Sequence, residues 1–270
     1  MSVLWVNGRA QSRIDARDRG LQYGDGVFET MRARAGRIRL LELHLDRLQE
    51  GCRRLKIAAP PRIELRAELE RRAAPLDDAV LKLILTRGAG ARGYRPSGEE
   101  RSTRVLSQHP APAPPPRAVR VRLCATGLGS NPALAGLKTL NRLESVLARA
   151  EWRDERLWEG LMCDAQGHWV CGTASNFFVR YGSLLMTPRV DRCGVAGVMR
   201  RWVLGEARAL SYTVREQRVR FTRLVRAEEM FMTNAVAGVV SVARLENGAQ
   251  RIDFASTQAA RRLRARLESL

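Results

Sequence analysis

The sequence has almost no lysine. Only Lys56, Lys82 and Lys138 occur, although lysine and arginine together number 47. The basic residues give a net charge of +19, but they are dispersed along the chain and aromatic residues make up only 6%. Proteins that bind nucleic acids concentrate charge on one face and interleave aromatic side chains. We therefore predict no specific nucleic-acid partner, only weak nonspecific binding at low salt.

Long apolar runs and paired cysteines are also missing. No stretch approaches the roughly 18 apolar residues of a transmembrane helix, and the first residues lack the pattern of a secretory signal. The five cysteines form no C-x-x-C pair, and the three histidines stand at no metal-ligand spacing. These absences predict a cytoplasmic protein with free thiols, no membrane span and no structural metal.

The common nucleotide and hydrolase signatures are absent as well. The chain has no G-x-S-x-G and no P-loop. The nearest match to G-x-G-x-x-G, at Gly88–Gly93, is followed by Tyr94-Arg-Pro instead of a helix. We interpret this stretch as a flexible loop.

The first 109 residues have the pattern of a small α+β domain. Apolar residues from Leu41 to Leu55 recur at spacings of four and three, which predicts an amphipathic helix, and a second helix is predicted near 62–74. Strands are predicted at 4–6, 27–33, 38–41, 80–86 and 103–107. Five prolines within 110–116 predict an extended linker at 110–117, because proline fixes φ and lacks a donor.

Residues 118–270 have the pattern of a larger α+β domain. Strands are predicted near 119–124, 158–163, 176–181, 184–187, 212–219, 229–233 and 239–244. Helices are predicted near 142–153, 196–210 and 256–268. The mixed order of these elements is typical of α+β folds.

Lys138 is the first candidate for chemistry. It follows a loop rich in glycine and proline and precedes a helix whose apolar side carries Leu143, Val146 and Leu147. An amine held at such a junction is partly desolvated, which lowers its pKa and frees its lone pair to attack a carbonyl. A surface lysine at the end of a loop is the alternative that the residues leave open.

Seven blocks in order carry a resemblance that decides between these interpretations. They are Tyr23-Gly-Asp-Gly-Val-Phe-Glu-Thr30, His44-Leu-Asp-Arg47, Arg92-Gly-Tyr94, Asn131-Pro through Lys138 to Glu144, Gly172-Thr-Ala-Ser-Asn-Phe-Phe178, Gly194-Val-Ala-Gly-Val-Met-Arg200 and Met232-Thr-Asn-Ala235. Together they resemble the fold-type IV pyridoxal-phosphate enzymes, which include branched-chain and D-amino-acid aminotransferases. Within that family the chain is most similar to the 4-amino-4-deoxychorismate lyases, chiefly through the Lys138 block and Arg92-Gly-Tyr94.

The resemblance implies a two-domain homodimer that binds pyridoxal 5'-phosphate between its domains. Lys138 would bind the cofactor covalently and then act as base and acid. Groups expected at the cofactor phosphate are Arg47, the N–H groups of Val198 and Met199 at the start of a helix, and the pair Asn234 and Ala235. Without the resemblance, Arg47 would be interpreted as a solvated arginine at the edge of its helix.

The same resemblance places Arg92 and Tyr94 at the substrate, although a loop without a role remains the alternative for both. The implied substrate has two carboxylates, for which Arg142 is a further candidate. The implied reaction converts 4-amino-4-deoxychorismate to 4-aminobenzoate and pyruvate, the step that feeds folate synthesis.

One position departs from the family pattern. Cys171 stands five residues before Asn176, where the family usually has a glutamate that keeps the cofactor's pyridine nitrogen protonated. A thiol, with an ordinary pKa of about 8.5, is a poor partner for a pyridinium. The lyase reaction tolerates a weaker electron sink because it makes an aromatic ring, so Cys171 favours it over an aminotransferase. The rivals are a branched-chain or D-amino-acid aminotransferase and a non-catalytic basic protein that associates with nucleic acid.

Overall fold

A computed structural model describes residues 3–270, which divide into two compact units. The first unit contains the described residues up to Ala113 together with the short segment Leu137–Asn141. The second unit contains Pro114–Gly136 and Arg142–Leu270. The segment that carries Lys138 therefore groups with the first unit, whereas the sequence pattern assigned it to the domain at 118–270.

Six strands and three helices form the first unit. The strands are β1 (Val3–Val6), β2 (Arg9–Ala10), β3 (Gly26–Arg34), β4 (Arg37–Ile38), β5 (Asp78–Thr86) and β6 (Thr103–Pro110). The helices are α1 (Arg19–Tyr23), α2 (Leu41–Leu55) and α3 (Arg62–Ala73). The strands build one sheet in the order β2-β1-β6-β5-β3-β4, in which each neighbouring pair is antiparallel.

The core of the first unit lies between this sheet and helices α2 and α3. Leu81, Leu83 and Leu85 of β5 alternate onto one face, where Leu45 and Leu48 of α2 pack against them. This arrangement confirms the helix predicted from the apolar spacing over 41–55. Its burial follows from that spacing, because residues three and four apart share one face of a helix.

The strand predicted at 38–41 is wrong beyond Ile38. Leu40 has a φ of 56° and forms the N-cap of α2, which begins at Leu41. A residue in the left-handed region cannot continue a strand. The apolar residues at 40–41 therefore belong to the entry of the helix.

Nine strands and four helices form the second unit. The strands are β7 (Ala118–Leu123), β8 (Leu157–Cys163), β9 (Trp169–Gly172), β10 (Asn176–Tyr181), β11 (Leu184–Pro188), β12 (Thr213–Gln217), β13 (Glu229–Asn234), β14 (Gly238–Asn247) and β15 (Gln250–Asp253). The helices are α4 (Leu143–Arg149), α5 (Val198–Ala209), α6 (Phe221–Val225) and α7 (Gln258–Glu268). The sheet order is β12-β11-β10-β13-β14-β7-β8-β9, and β15 pairs with β14.

The apolar side predicted for the helix after Lys138 is not buried. Leu143, Val146 and Leu147 of α4 are all at least 60% exposed, and Ala148 is the buried residue of this helix. The helix also ends at Arg149, earlier than the predicted 153. The spacing of the apolar residues predicted that they share one side of the helix, but it does not show whether another part of the protein covers that side. Among residues 3–270, no helix, α4 included, is long and apolar enough to cross a membrane.

Candidate active site

The segment that carries Lys138 is fixed by backbone hydrogen bonds to the start of β3. Phe28 N donates to Lys138 O at 3.0 Å, and Leu140 N donates to Gly26 O at 3.0 Å. The short strand β4 pairs only with Ala33 and Arg34, so this end of the β3 edge is available to the segment. Lys138 thus extends the sheet without lying in a regular strand, and its backbone position is set by β3.

The side chain of Lys138 is half-buried and lies against an aromatic ring. Its Nζ is 4.1 Å from the centroid of the Phe28 ring, and Nζ of Lys82 is 5.4 Å from the same centroid. A cation over a ring face is attracted by the ring quadrupole. The contact orients the amine that the sequence singled out.

Arg47 is held by a buried carboxylate. Its Nε donates to Glu29 Oε1 at 2.7 Å and its Nη2 to Glu29 Oε2 at 2.5 Å. His44 Nδ1 lies 2.6 Å from Glu29 Oε2. The exposed fractions are 2% for the Glu29 side chain, 1% for His44 and 12% for Arg47. Arg47 is therefore an ordered and largely desolvated cation, not a solvated residue at the edge of its helix.

The charge states of this cluster follow from burial and pairing. Burial alone would raise the pKa of Glu29, but the charge of Arg47 and the hydrogen bonds from Arg47 and His44 lower it to about 2. Burial lowers the pKa of His44 against the opposing effect of Glu29, so the ring is neutral at pH 7. A neutral ring that donates from Nδ1 leaves Nε2 as an acceptor, and Nε2 has no hydrogen-bond partner among residues 3–270. A buried acceptor of this kind needs a partner that those residues do not supply.

Arg92 and Tyr94 lie in the β5–β6 loop, residues 87–102. Both side chains are exposed, Tyr94 by 86%. Arg92 borders a cavity of about 800 Å³ whose other lining residues are Arg17, Gln22, Tyr23, Ala89, Gly90 and Ala91. The loop is thus suited to present a cation and a phenol to a ligand.

In the second unit, the N-terminus of α5 is anchored by Asn176 of β10. Asn176 Oδ1 accepts from Gly197 N at 3.1 Å, and its Nδ2 donates to Val195 O at 2.8 Å. No side chain caps the helix, so the first-turn N–H groups, including those of Val198 and Met199, are left for another acceptor. Free N–H groups at a helix N-terminus suit a phosphate.

The predicted Asn234–Ala235 pair lies at the end of β13, on which α5 packs. Asn234 Oδ1 accepts from Val236 N at 3.0 Å and from Ala237 N at 2.7 Å, which closes the turn after the strand. Thr233, which pairs with Asn176 in the sheet, has a buried Oγ1 with no hydrogen-bond partner among the described residues. The second unit therefore brings the α5 N-terminus and the end of β13 together around Asn176.

Cys171 lies on β9 and is buried. Burial raises the pKa of its thiol to about 12, so the sulfur is neutral at pH 7. Arg142, at the N-cap of α4, is close enough to interact with it electrostatically, and burial lowers the pKa of Arg142. A neutral thiol supplies no negative charge to a bound group.

Sequence reasoning missed a buried glutamate on the neighbouring strand. Glu159 of β8 is 3% exposed and organises the turn after β9. It accepts from Thr173 N at 3.1 Å, Ala174 N at 3.1 Å and Ser175 Oγ at 2.7 Å. A signal existed, because a charged residue inside an otherwise buried strand needs partners. Glu29, on the alternating strand β3, gave the same signal.

Residues 3–270 contain no group of three or more His, Cys, Asp or Glu residues that could hold a metal ion. The groups described above instead suit an organic anion: an oriented amine, a buried arginine and an uncapped helix N-terminus. In the first unit, Lys138 and Arg47 both act electrostatically on His44, whereas Arg92 and Tyr94 lie in the β5–β6 loop. In the second unit, the N-terminus of α5 and the end of β13 meet at Asn176.

Comparison with known proteins matches this chain to a family model, to named proteins and to a solved structure. A family model described as amino-transferase class IV matches residues 26–245. The aminodeoxychorismate lyase of Vibrio harveyi is 34% identical, covering 99% of this chain and 100% of that protein. A putative branched-chain-amino-acid aminotransferase of Methanocaldococcus jannaschii is 33% identical, covering 90% and 88%. The crystal structure of 4-amino-4-deoxychorismate lyase from Pseudomonas aeruginosa matches with a TM-score of 0.93 at 44% identity, covering 99% of this chain and 98% of that one.

Proposed function

Because this chain belongs to the amino-transferase class IV family, we propose that it is a pyridoxal-phosphate enzyme that converts 4-amino-4-deoxychorismate to 4-aminobenzoate and pyruvate. The reaction removes a proton from the ring carbon that bears the amine, breaks the C–O bond to the enolpyruvyl group and makes the ring aromatic. A proton added to the methylene carbon of the released group gives pyruvate, so atoms and charge balance without an oxidant.

The observation that carries the proposal is the fixed position of Lys138. Two backbone hydrogen bonds hold its segment on β3, and the Phe28 ring orients its amine. Lys138 would hold the cofactor until the substrate's amine replaces it, and the cofactor on the substrate's nitrogen would supply an electron-withdrawing ring that weakens the adjacent C–H bond. Lys138 Nζ then takes that proton and returns one to the methylene carbon.

Each unit by itself offers donors that suit a phosphate ester. In the first unit, Arg47 offers a guanidinium whose orientation is fixed by Glu29, and a guanidinium binds phosphate through paired donors. In the second unit, Val198 and Met199 offer N–H groups at a helix N-terminus. At the end of β13, the Asn234 amide oxygen closes its own turn, so the side-chain donor of Asn234 is Nδ2, and Ala235 adds no side-chain donor.

Cys171 favours the lyase over an aminotransferase. With its pKa raised to about 12 by burial, the thiol cannot stabilise a protonated pyridine nitrogen by charge. Formation of an aromatic ring drives the lyase reaction forward, whereas amino transfer has no comparable driving force. For the substrate carboxylates we assign Arg92, Tyr94 and Arg142.

We further propose a cytoplasmic homodimer. All five cysteines are free, which suits a reducing compartment. The exposed side of α4, formed by Leu143, Val146 and Leu147, is the apolar surface on which a second copy would pack. Light scattering should give twice the chain mass, and Leu147→Arg should shift it towards the monomer. A monomeric unaltered protein would contradict the dimer.

The test of function is an assay of cofactor-loaded protein with 4-amino-4-deoxychorismate, following 4-aminobenzoate by fluorescence. We expect product from the unaltered protein, none from Lys138→Ala, and product retained in Lys82→Ala, which removes the other lysine near Phe28. Transfer of an amino group from amino acids to keto acids, without 4-aminobenzoate, would favour the aminotransferase. Neither activity, with no visible cofactor band, would overturn the proposal.

A further inference from the structure

Arg19 is a buried arginine whose donors are directed at the β5–β6 loop. Its side chain is 3% exposed. Nη1 donates to Gly93 O and Nη2 to Tyr94 O, both at 2.8 Å. The two acceptors are consecutive carbonyls immediately after Arg92. A buried guanidinium costs free energy unless its donors are satisfied, so these contacts define where that part of the loop lies.

Tyr23 reinforces the same contact. Its ring lies 4.9 Å from the Arg19 guanidinium carbon, and its hydroxyl accepts from Gly93 N at 3.2 Å. The Tyr23 and Tyr94 rings meet edge to face with centroids 5.5 Å apart. Gly93 has a φ of 101°, a conformation that a side chain would strain. The loop therefore has one defined shape between Arg92 and Tyr94.

The guanidinium itself is held by rigid elements. Asp25 Oδ2 accepts from Arg19 Nε at 3.1 Å and from Arg87 Nε at 2.7 Å. Arg87 also donates to Leu55 O at 2.7 Å and to Lys56 O at 2.6 Å, at the end of α2. Arg19 is thus connected through Asp25 and Arg87 to a helix of the core.

The base of the loop is tied to the same residue. Arg19 N donates to Gly88 O at 2.8 Å. A Cβ on Gly90 would lie 2.9 Å from Arg19 Cδ, so the side chain and the loop are in close contact. Arg19 therefore touches the loop at its base and again after Arg92.

We propose that Arg19 is a positioning residue that fixes Arg92 and Tyr94 in the arrangement that binds a substrate carboxylate. This inference rests on the proposed function. Arg19 is buried under the loop and acts through it. Lysine could not replace it, because one ammonium cannot donate to two carbonyls and a carboxylate in the planar geometry of a guanidinium.

The kinetic test uses Arg19→Lys with 4-amino-4-deoxychorismate. We expect KM to rise about tenfold, the usual effect of losing charged hydrogen bonds, while kcat changes less than about threefold. Arg53→Lys is the matched control, because it keeps the charge of an exposed arginine paired with Glu50. In an Arg92→Ala background, Arg19→Lys should raise KM by a clearly smaller factor, since only Tyr94 remains of the two side chains that it positions.

A second readout needs no activity. Chymotrypsin cleavage after the exposed Tyr94, mapped by mass spectrometry, should be about tenfold faster in Arg19→Lys than in the unaltered protein. Tyr23→Phe, which removes only the hydroxyl that accepts from Gly93 N, should accelerate cleavage less and serves if Arg19→Lys does not fold.

Unchanged cleavage would overturn the proposal. So would a KM effect of the same size with and without Arg92. If the unaltered protein forms no 4-aminobenzoate, the proposed function fails, whereas the cleavage rate still decides whether Arg19 holds the loop.

Discussion

Replacing Glu29 by glutamine should destabilise the protein through one buried charge. The Glu29 carboxylate accepts from Arg47 and lies 2.6 Å from His44 Nδ1, and its side chain is 2% exposed. Glutamine keeps the shape but removes the charge, which leaves the Arg47 guanidinium without its counter-ion. Removing one partner of a buried ion pair is strongly destabilising.

The size of the effect follows from the pKa. The pKa of Glu29 falls from an ordinary 4.5 to about 2, which corresponds to about 3 kcal/mol of unfolding free energy at pH 7. Above pH 4.5 the carboxylate is ionised in both states and the contribution is complete. As the pH falls from 4.5 towards 2, the unfolded chain takes up the proton first and the contribution is lost.

Urea unfolding of the cofactor-free protein measures this effect. At pH 7 we expect Glu29→Gln to lose about 3 kcal/mol, and the difference from the unaltered protein to fall to about half at pH 3. Glu50→Gln, which breaks the exposed pair of Glu50 with Arg53 on α2, should change stability by no more than about 0.5 kcal/mol. A loss under about 1 kcal/mol at pH 7, or a difference independent of pH, would refute the reasoning.

Three further predictions test the second unit. Glu159→Gln should lose about 2 kcal/mol in urea unfolding, because an amide cannot accept from all the donors of the turn after β9; an unaltered midpoint would contradict this. Gly197→Ala should weaken cofactor binding by about tenfold in titrations of the cofactor-free protein, since its Cβ would lie 2.1 Å from Asn176 Oδ1. Gly205→Ala in open space on the same helix should instead stabilise by about 1 kcal/mol, and equal affinities for both variants would count against a phosphate at this terminus. A thiol reagent at pH 8 should leave Cys171 unmodified in the native protein, because burial raises its pKa to about 12; rapid labelling there would disprove the burial.

Local patterns predicted much of the fold. The helix at 41–55 and the strand at 176–181 occur with the predicted bounds, because apolar spacing records which face of an element is buried. The same patterns could not show that the apolar side of α4 is exposed, or that Leu40 adopts a left-handed conformation. Both depend on what surrounds the element and not on its own periodicity.

The candidate site was also only partly predictable from the sequence. Lys138 and Arg47 were predicted from motifs, yet no motif shows that Glu29 orients Arg47. Arg19 lies 74 residues from Gly93, whose carbonyl it binds, and spacing rules do not reach across such a separation. The residues that hold the site are set by tertiary partners, which a single sequence does not record.

The segment Leu137–Asn141 determines whether the two units can be separated as fragments of the chain. The chain passes between the units after Ala113, after Gly136 and after Asn141. A fragment ending at Ala113 would therefore lack the residues that pair with the start of β3, leaving Phe28 N–H and Gly26 C=O on an open sheet edge, where pairing with another chain becomes favourable. A recombination event at the proline-rich stretch would produce a module with an unfinished sheet. Exchange between relatives at that point would preserve the fold only if both partners carried a compatible lysine segment, because Lys138 is inherited with the chain beyond Ala113 but extends the sheet of the first unit.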